Sequence, residues 1–235
     1  MTAVSIIKQR IRLVKRESGK ERFVEKTARK KKAAATKENI FSTAVGLIKE
    51  QGYANVTVSE ICRRAGIAKG TFYVHYASKE DIVRESYYSD MGKFVLRGYD
   101  LFLEQFPNSR AGDRILCFLS LELTFAKFIG YELTCLAYAL NLGACVPGPS
   151  KHLERRTFSQ VLYQEIAGHM DEALADLSAR EAFTYLESVV RGIMATWCFS
   201  NRAFRIEEEG TAFLVCAVKG LFPLTPSAED LPAPR

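Results

Sequence analysis

Apolar positions recur three and four residues apart through most of this chain, and no run alternates with the period of two that a half-buried strand needs. The clearest short stripe is Val58, Ile61, Cys62 and Ala65, the i, i+3, i+4, i+7 spacing of a two-turn amphipathic helix. Thr57, with Glu60 three residues on, matches a capping box that would start it. Gly66 follows the last stripe residue, where a helix needs a left-handed residue to stop. A second short helix is predicted from Ala68 or Lys69, with Ala68, Phe72 and Tyr76 on its inner face and Lys69, Gly70, Tyr73 and Val74 outward. Two short helices joined by so tight a turn make a helix-turn-helix. An outward face of cation, bare backbone, phenol and methyl groups suits phosphates and base edges.

The same periodicity predicts helices on both sides. One spans about Lys37 to Gln51, with Ile40, Phe41, Ala44, Val45 and Ile48 inward and Gly52 as its stop. Ser78 is placed to cap another, running from Lys79 to about Phe106 through Ile82, Val83, Met91, Phe94 and Val95. Two apolar helices follow over 113–129 and 131–143. Pro147 to Ser150 breaks the chain before a long amphipathic helix over 151–175. In 179–200, Phe183, Leu186, Val190, Ile193 and Trp197 follow the spacing of a helix packed lengthwise on a partner. The segment 207–222 is apolar nearly all round, and a helix without a wet face must be covered on both sides. The cover is a second subunit or, alternatively, the core of a monomer. The expectation is an all-α protein: a basic N-terminal extension (1–36), a three-helix DNA-binding domain (37–83), a larger helical domain (84–222) and a disordered tail (223–235).

Charge sharpens this picture. Residues 1–37 carry 13 Lys/Arg against 3 Glu, a net of +10, while the remainder carries 20 against 24, a net of −4. One end is built for a polyanion and the body is not. The six cysteines are scattered, without a CxxC pair or histidines at metal spacing, and read as reduced, buried thiols of a cytoplasmic protein. No secretory signal is visible, and Glu122, Lys127 and Glu132 interrupt the most apolar region, so no membrane span is expected. The three histidines are dispersed, and nucleotide-loop, serine-hydrolase and zinc-protease motifs are missing. Neither an enzyme, a cofactor nor a metal site is expected.

From Ile40 to Val83 the chain resembles the DNA-binding domain of the tetracycline-repressor (TetR) family of bacterial regulators. The resemblance rests on Ile40-Phe41, Ala44, Leu47-Ile48, Gln51-Gly52-Tyr53, Thr57-Val58, Ile61, Ala65-Gly66-Ile67, Gly70-Thr71-Phe72-Tyr73, Tyr76 and Ser78-Lys79-Glu80. It implies a homodimer whose last two helices from each protomer form a four-helix bundle, binding a palindromic double-stranded DNA operator. On that reading Lys69 and Lys79 hold phosphates, and Gly70 lets the backbone approach the DNA. Thr71, Tyr73 and His75 contact phosphates or base edges, and Thr57 and Ser59 anchor the first helix of the motif. The long basic lead before the first helix departs from the family pattern.

The resemblance further implies that an unidentified small-molecule effector acts through the C-terminal domain. The side chains expected to line its site are Phe94, Phe125, Phe128, Tyr131, Tyr138, Tyr163, His169 and Trp197, because a pocket of aromatic walls with a few hydroxyls suits an amphipathic ligand. The alternative is a protein of the same fold that binds DNA without an effector, in an architectural or division-related role.

Overall fold

The computed structural model describes residues 28–143 and 157–226, and all regular structure among them is helical. In chain order the helices are α1 (Ala28–Gln51), α2 (Val58–Ala65), α3 (Lys69–His75), α4 (Lys79–Gln105), α5 (Ala111–Ile129), α6 (Tyr131–Gly143), α7 (Thr157–Ala167), α8 (Ala179–Phe199) and α9 (Glu209–Lys219). The expected all-α class with an N-terminal helix-turn-helix is what the chain forms. Two compact units divide the described residues: 28–90 with 129–143, and 91–128 with 157–226.

In the first unit, α1 begins nine residues before the expected Lys37. Ala33 to Ala35 and the adjoining lysines are strong helix formers, and neither glycine nor proline interrupts the chain until Gly46. Part of the basic extension is therefore helix. The rest, with Ile6, Ile7, Ile11 and Val14, lies outside the described residues. Ile40, Phe41, Ala44, Leu47 and Ile48 of α1 close over Val56, Ile61, Cys62, Phe72, Tyr76, Ile82, Val83 and Tyr87, all buried. Helix α6 joins this unit. The Tyr87 hydroxyl donates to Thr134 Oγ1 at 3.3 Å, and the Tyr53 backbone N–H donates to Glu132 Oε1 at 2.8 Å.

In the second unit α5 is buried almost continuously from Ile115 to Ala126. Its Phe118 ring meets Tyr99 edge-on at 5.3 Å and stacks with Phe158 of α7 at 6.4 Å. Helix α7 ends at Ala167, earlier than the expected 175. Gly168 is a poor helix former, and Asp171 and Glu172 would stand at the negative end of any continuation. These two acidic residues instead lie in a 3-10 turn, Met170–Glu172. Ser150, the expected start of that helix, lies outside the described residues. Helix α8 is fixed by a reciprocal capping box that the sequence reading did not single out: Ser178 Oγ accepts from the Glu181 N–H, and the Ser178 N–H donates to Glu181 Oε2 at 2.8 Å.

Two expectations are corrected here. Residues 223–226, assigned to the disordered tail, lie against the start of α5. The Thr225 N–H donates to Asp113 Oδ1 at 3.1 Å and its hydroxyl to Asp113 Oδ2, while a Cβ on Gly112 would collide with the Pro223 carbonyl. Cys216, expected among buried thiols, is exposed, because α9 covers only one of its faces within the protomer. Cys62 and Cys117 are buried, Cys135 and Cys198 partly so, and Cys145 is outside the described residues. No described helix is long and apolar enough to cross a membrane.

Candidate nucleic-acid interface

Thr57 takes extended backbone angles and its hydroxyl accepts the Glu60 N–H at 3.2 Å, starting α2 where the sequence places it. The expected capping box is only half formed, since the Glu60 carboxylate accepts from Gln51 Nε2 at 2.9 Å. Gly66, at φ 68° and ψ 35°, ends α2 in the left-handed region and turns the chain into α3. The turn is braced from α1, where Asn39 Nδ2 donates to the Ala65 carbonyl at 2.9 Å. It is braced again by Arg64, which reaches both oxygens of Glu50 at 2.7–2.8 Å.

Helix α3 is pinned by one side. Phe72 is fully buried and Tyr76 nearly so, with their rings 6.0 Å apart. Lys69, Gly70, Tyr73 and Val74 are exposed, as the helical spacing predicts, with Tyr73 at 57% and Val74 at 80%. Thr71 and His75 are half-buried on the flanks, and Thr57 and Ser59 are exposed at the start of α2. Ala68 departs from the expected inner face. It is the N-cap of α3, its extended backbone (φ −73°, ψ 151°) takes it off the helical wheel, and its side chain is exposed.

Lys79 has a structural task that the sequence did not reveal. Its ammonium donates to the carbonyls of Tyr53 (2.7 Å) and Val56 (2.8 Å) and lies 3.9 Å from the centre of the Tyr53 ring. Two of its three N–H donors are thereby used within the protein. The Tyr53 hydroxyl donates to Glu80 Oε1 at 2.7 Å. That hydrogen bond holds the Glu80 carboxyl below its ordinary range, while burial and the same carboxylate push the Tyr53 phenol up. Tyr53 thus ties the turn before α2 to the start of α4. Gln51-Gly52-Tyr53 stands out in the sequence, but the contacts that Tyr53 makes with Lys79, Glu80 and Glu132 reach 26 to 79 residues along the chain.

Of the side chains expected around an effector, Phe94, Phe125 and Phe128 come together in one cluster. Phe94 (buried) meets Phe125 (buried) at 5.6 Å and stacks with Phe128 (exposed) at 6.0 Å. Tyr163 is partly exposed and meets Phe183 edge-on at 5.7 Å. Trp197 is buried on α8. Tyr131 and Tyr138 belong to the other compact unit. His169 lies in a polar cluster that periodicity did not pick out. Its Nδ1 and Arg114 each stand 3.5 Å from Glu165 Oε1, and Tyr99 is buried nearby, its phenol pushed up by burial and by the Glu165 charge.

The family model for bacterial regulatory proteins of the tetR family matches residues 40–85. Over 204 residues the chain is 23% identical to the HTH-type transcriptional regulator AcrR of Shigella flexneri, covering 79% of this chain and 88% of that one. It is 36% identical over 70 residues to the HTH-type negative transcriptional regulator IcaR of the biofilm operon of Staphylococcus epidermidis, covering 27% of this chain and 36% of that one. A solved transcriptional regulator from Rhodococcus sp. Rha1 superposes with a TM-score of 0.56 at 15% identity, over 79% of this chain and 97% of that one, which is a likeness of fold. With its capped α2, left-handed Gly66 and half-buried α3, the stretch 40–85 is a helix-turn-helix domain of the TetR family type.

Proposed function

We propose that this regulator is a repressor that binds a palindromic operator as a homodimer and is released by a small-molecule effector. The observation that carries the reading is α3, a helix held by Phe72 and Tyr76 with Lys69, Gly70 and Tyr73 presented to solvent. A helix anchored on one side and open to solvent on the other can enter a major groove without disturbing its own core. Lys69 would meet phosphate, Thr71, Tyr73 and His75 would meet phosphates or base edges, and Thr57 and Ser59 would hold α2 to the backbone. Lys79 keeps one N–H for a phosphate while it latches Tyr53.

Dimerisation through α8 and α9 is supported by what one protomer leaves uncovered. On α8, Tyr185 (45% exposed), Ser188, Gly192, Thr196 and Phe199 (86%) form one stripe. On α9, Phe213 (50%) and Cys216 lie opposite the buried Leu214 and Val218 face. Effector response is supported by the Tyr99–Arg114–Glu165–His169 cluster, where the buried Tyr99 hydroxyl makes no hydrogen bond among the described residues and a polar ligand group would satisfy it. The repressor sense is supported by the likeness to a negative regulator. The basic extension favours the second reading, a DNA-binding protein of this fold with no effector.

Two measurements test the reading. Selection from a random duplex library with the full chain should enrich a palindrome, and sedimentation should give a dimer. A thermal-shift screen then separates the two readings, because a ligand that binds the folded state raises the melting temperature with its concentration. No enriched palindrome would sink the operator reading, and absence of any duplex binding would sink both.

A further inference from the structure

The outermost ridge of α3 carries two residues that its own stability does not favour. Gly70 sits in the helix with nothing within 4 Å of a Cβ built on it, so neither packing nor backbone angle requires glycine there. Val74, four residues on, is β-branched and 80% exposed. Both are weaker helix formers than alanine, and α3 has only seven residues in which to absorb the cost. At about 100° per residue, each lies about 200° from Phe72, the ring buried completely beneath the helix. They therefore form the part of α3 that stands furthest from the core. A glycine on that ridge removes a side chain that would hold the helix away from a surface. The valine beside it then places two methyl groups at the depth so gained.

We propose that Val74 reads the C5-methyl group of a thymine on the major-groove floor, and that Gly70 provides the close approach this needs. The proposal rests on the operator-binding reading above and names the base chemistry of that site. Thymine's methyl is the apolar group that the major-groove edges offer, so an apolar ridge with Lys69 and Tyr73 along one side and Thr71 and His75 along the other matches an A·T pair set between phosphates. A lone exposed valine would need no explanation. Its placement on the ridge of Gly70, beside the exposed Tyr73, is what calls for one.

The test uses the full chain and its selected operator. Each thymine is replaced in turn by deoxyuridine, which deletes the methyl and leaves the hydrogen-bonding edge unchanged. The wild-type protein should lose about fourfold in affinity at one position of each half-site, the value of one buried methyl group. Val74→Ala should bind the thymine and uracil operators alike at that position. Gly70→Ala should melt no lower than wild type yet bind more weakly. A uracil penalty equal in wild type and Val74→Ala at every position would overturn the assignment, as would full operator affinity in Gly70→Ala. Failure to enrich any operator would instead overturn the DNA-binding reading beneath it, as would enrichment of a partner protein on the Val74 ridge in place of DNA.

Discussion

The backbone N–H of Tyr53 donates to the carboxylate of Glu132 at 2.8 Å, joining residues 79 apart in the chain. Tyr53 stands in the turn that leads into α2, and Glu132 in the first turn of α6. The same tyrosine holds Glu80 through its hydroxyl and accepts Lys79 at its carbonyl. One residue therefore links the helix-turn-helix to two helices that follow it. Because Glu132 belongs to the same compact unit, a displacement of α6 would reach the turn before α2 without passing through α3 itself.

Glu132→Ala should remove the acceptor and cost the unit about 0.5–1.5 kcal/mol, whereas Glu132→Gln keeps an oxygen there and should cost less. Amide hydrogen exchange read on a peptide containing Tyr53 checks this. Equal protection in wild type and both variants would mean that the bond does not persist in solution.

Phe72 and Tyr73 are neighbours with opposite tasks. Phe72→Ala should destabilise the N-terminal unit by about 3–5 kcal/mol, since it deletes a fully buried ring. Tyr73→Ala should leave the fold intact and cost about 1–3 kcal/mol of operator binding. Denaturant unfolding followed by circular dichroism, paired with operator titration, separates the two. The reverse outcome would contradict the facing of α3.

The Tyr53–Glu80 bond predicts a direction with pH. Its acceptor is the Glu80 carboxylate, whose folded-state pKa lies below the ordinary 4.5. The stabilisation is present above that ordinary value and is lost as pH falls through the depressed folded-state one. Wild type should therefore melt above Glu80→Gln at pH 7, and the gap should close on acidification below about pH 4. A gap that stays constant from pH 7 to pH 3 would remove Glu80 from the latch.

Phe213→Glu should give monomers that remain folded, because the ring is half exposed within one protomer and a charge there meets water until a partner covers it. Trp197→Glu, by contrast, should unfold the C-terminal unit, since Trp197 is only 4% exposed within the protomer. Sedimentation velocity with near-ultraviolet circular dichroism distinguishes loss of dimer from loss of fold. A dimeric Phe213→Glu protein would move the interface elsewhere.

The leading turns of α1 extend from the far end of the recognition helix, where the Tyr76 hydroxyl donates to the Lys37 carbonyl at 3.4 Å. If this basic lead follows the phosphates beside the operator, each contact contributes about 0.9 to the slope of log K against log salt. Removing residues 1–32 should flatten that slope by several units per dimer and weaken binding to all duplexes alike. An unchanged slope would take the extension off the DNA.

Local chemistry sufficed for much of this molecule. Thr57 with Glu60, Gly66, and the stripe of Val58, Ile61, Cys62 and Ala65 specify α2 and its exit. These signals work within a few residues of each other, through backbone groups that must be satisfied in place. The outward set Lys69, Gly70, Tyr73 and Val74 was legible for the same reason, since a helix of known period exposes what it does not bury. The seam of α8 was legible too, and the charge asymmetry needed no fold at all. Ala68 was misplaced because a cap residue does not share the helical wheel. The length of α7 was missed because apolar spacing past Ala167 outlasts the helix that Gly168 ends.

Tertiary structure decided everything that depends on residues far apart in the chain. It turned Lys79 inward to carbonyls 23 and 26 residues back, joined α6 to the DNA-binding unit through Glu132 and Thr134, and seated Thr225 on Asp113. It also gathered Tyr99, Arg114, Glu165 and His169, and set Phe94 against Phe125 and Phe128. Periodicity states which face of a helix turns away from water but carries no address for what that face will meet. The partner is chosen by the packing of whole helices, where shape and hydrogen-bond satisfaction are tested together.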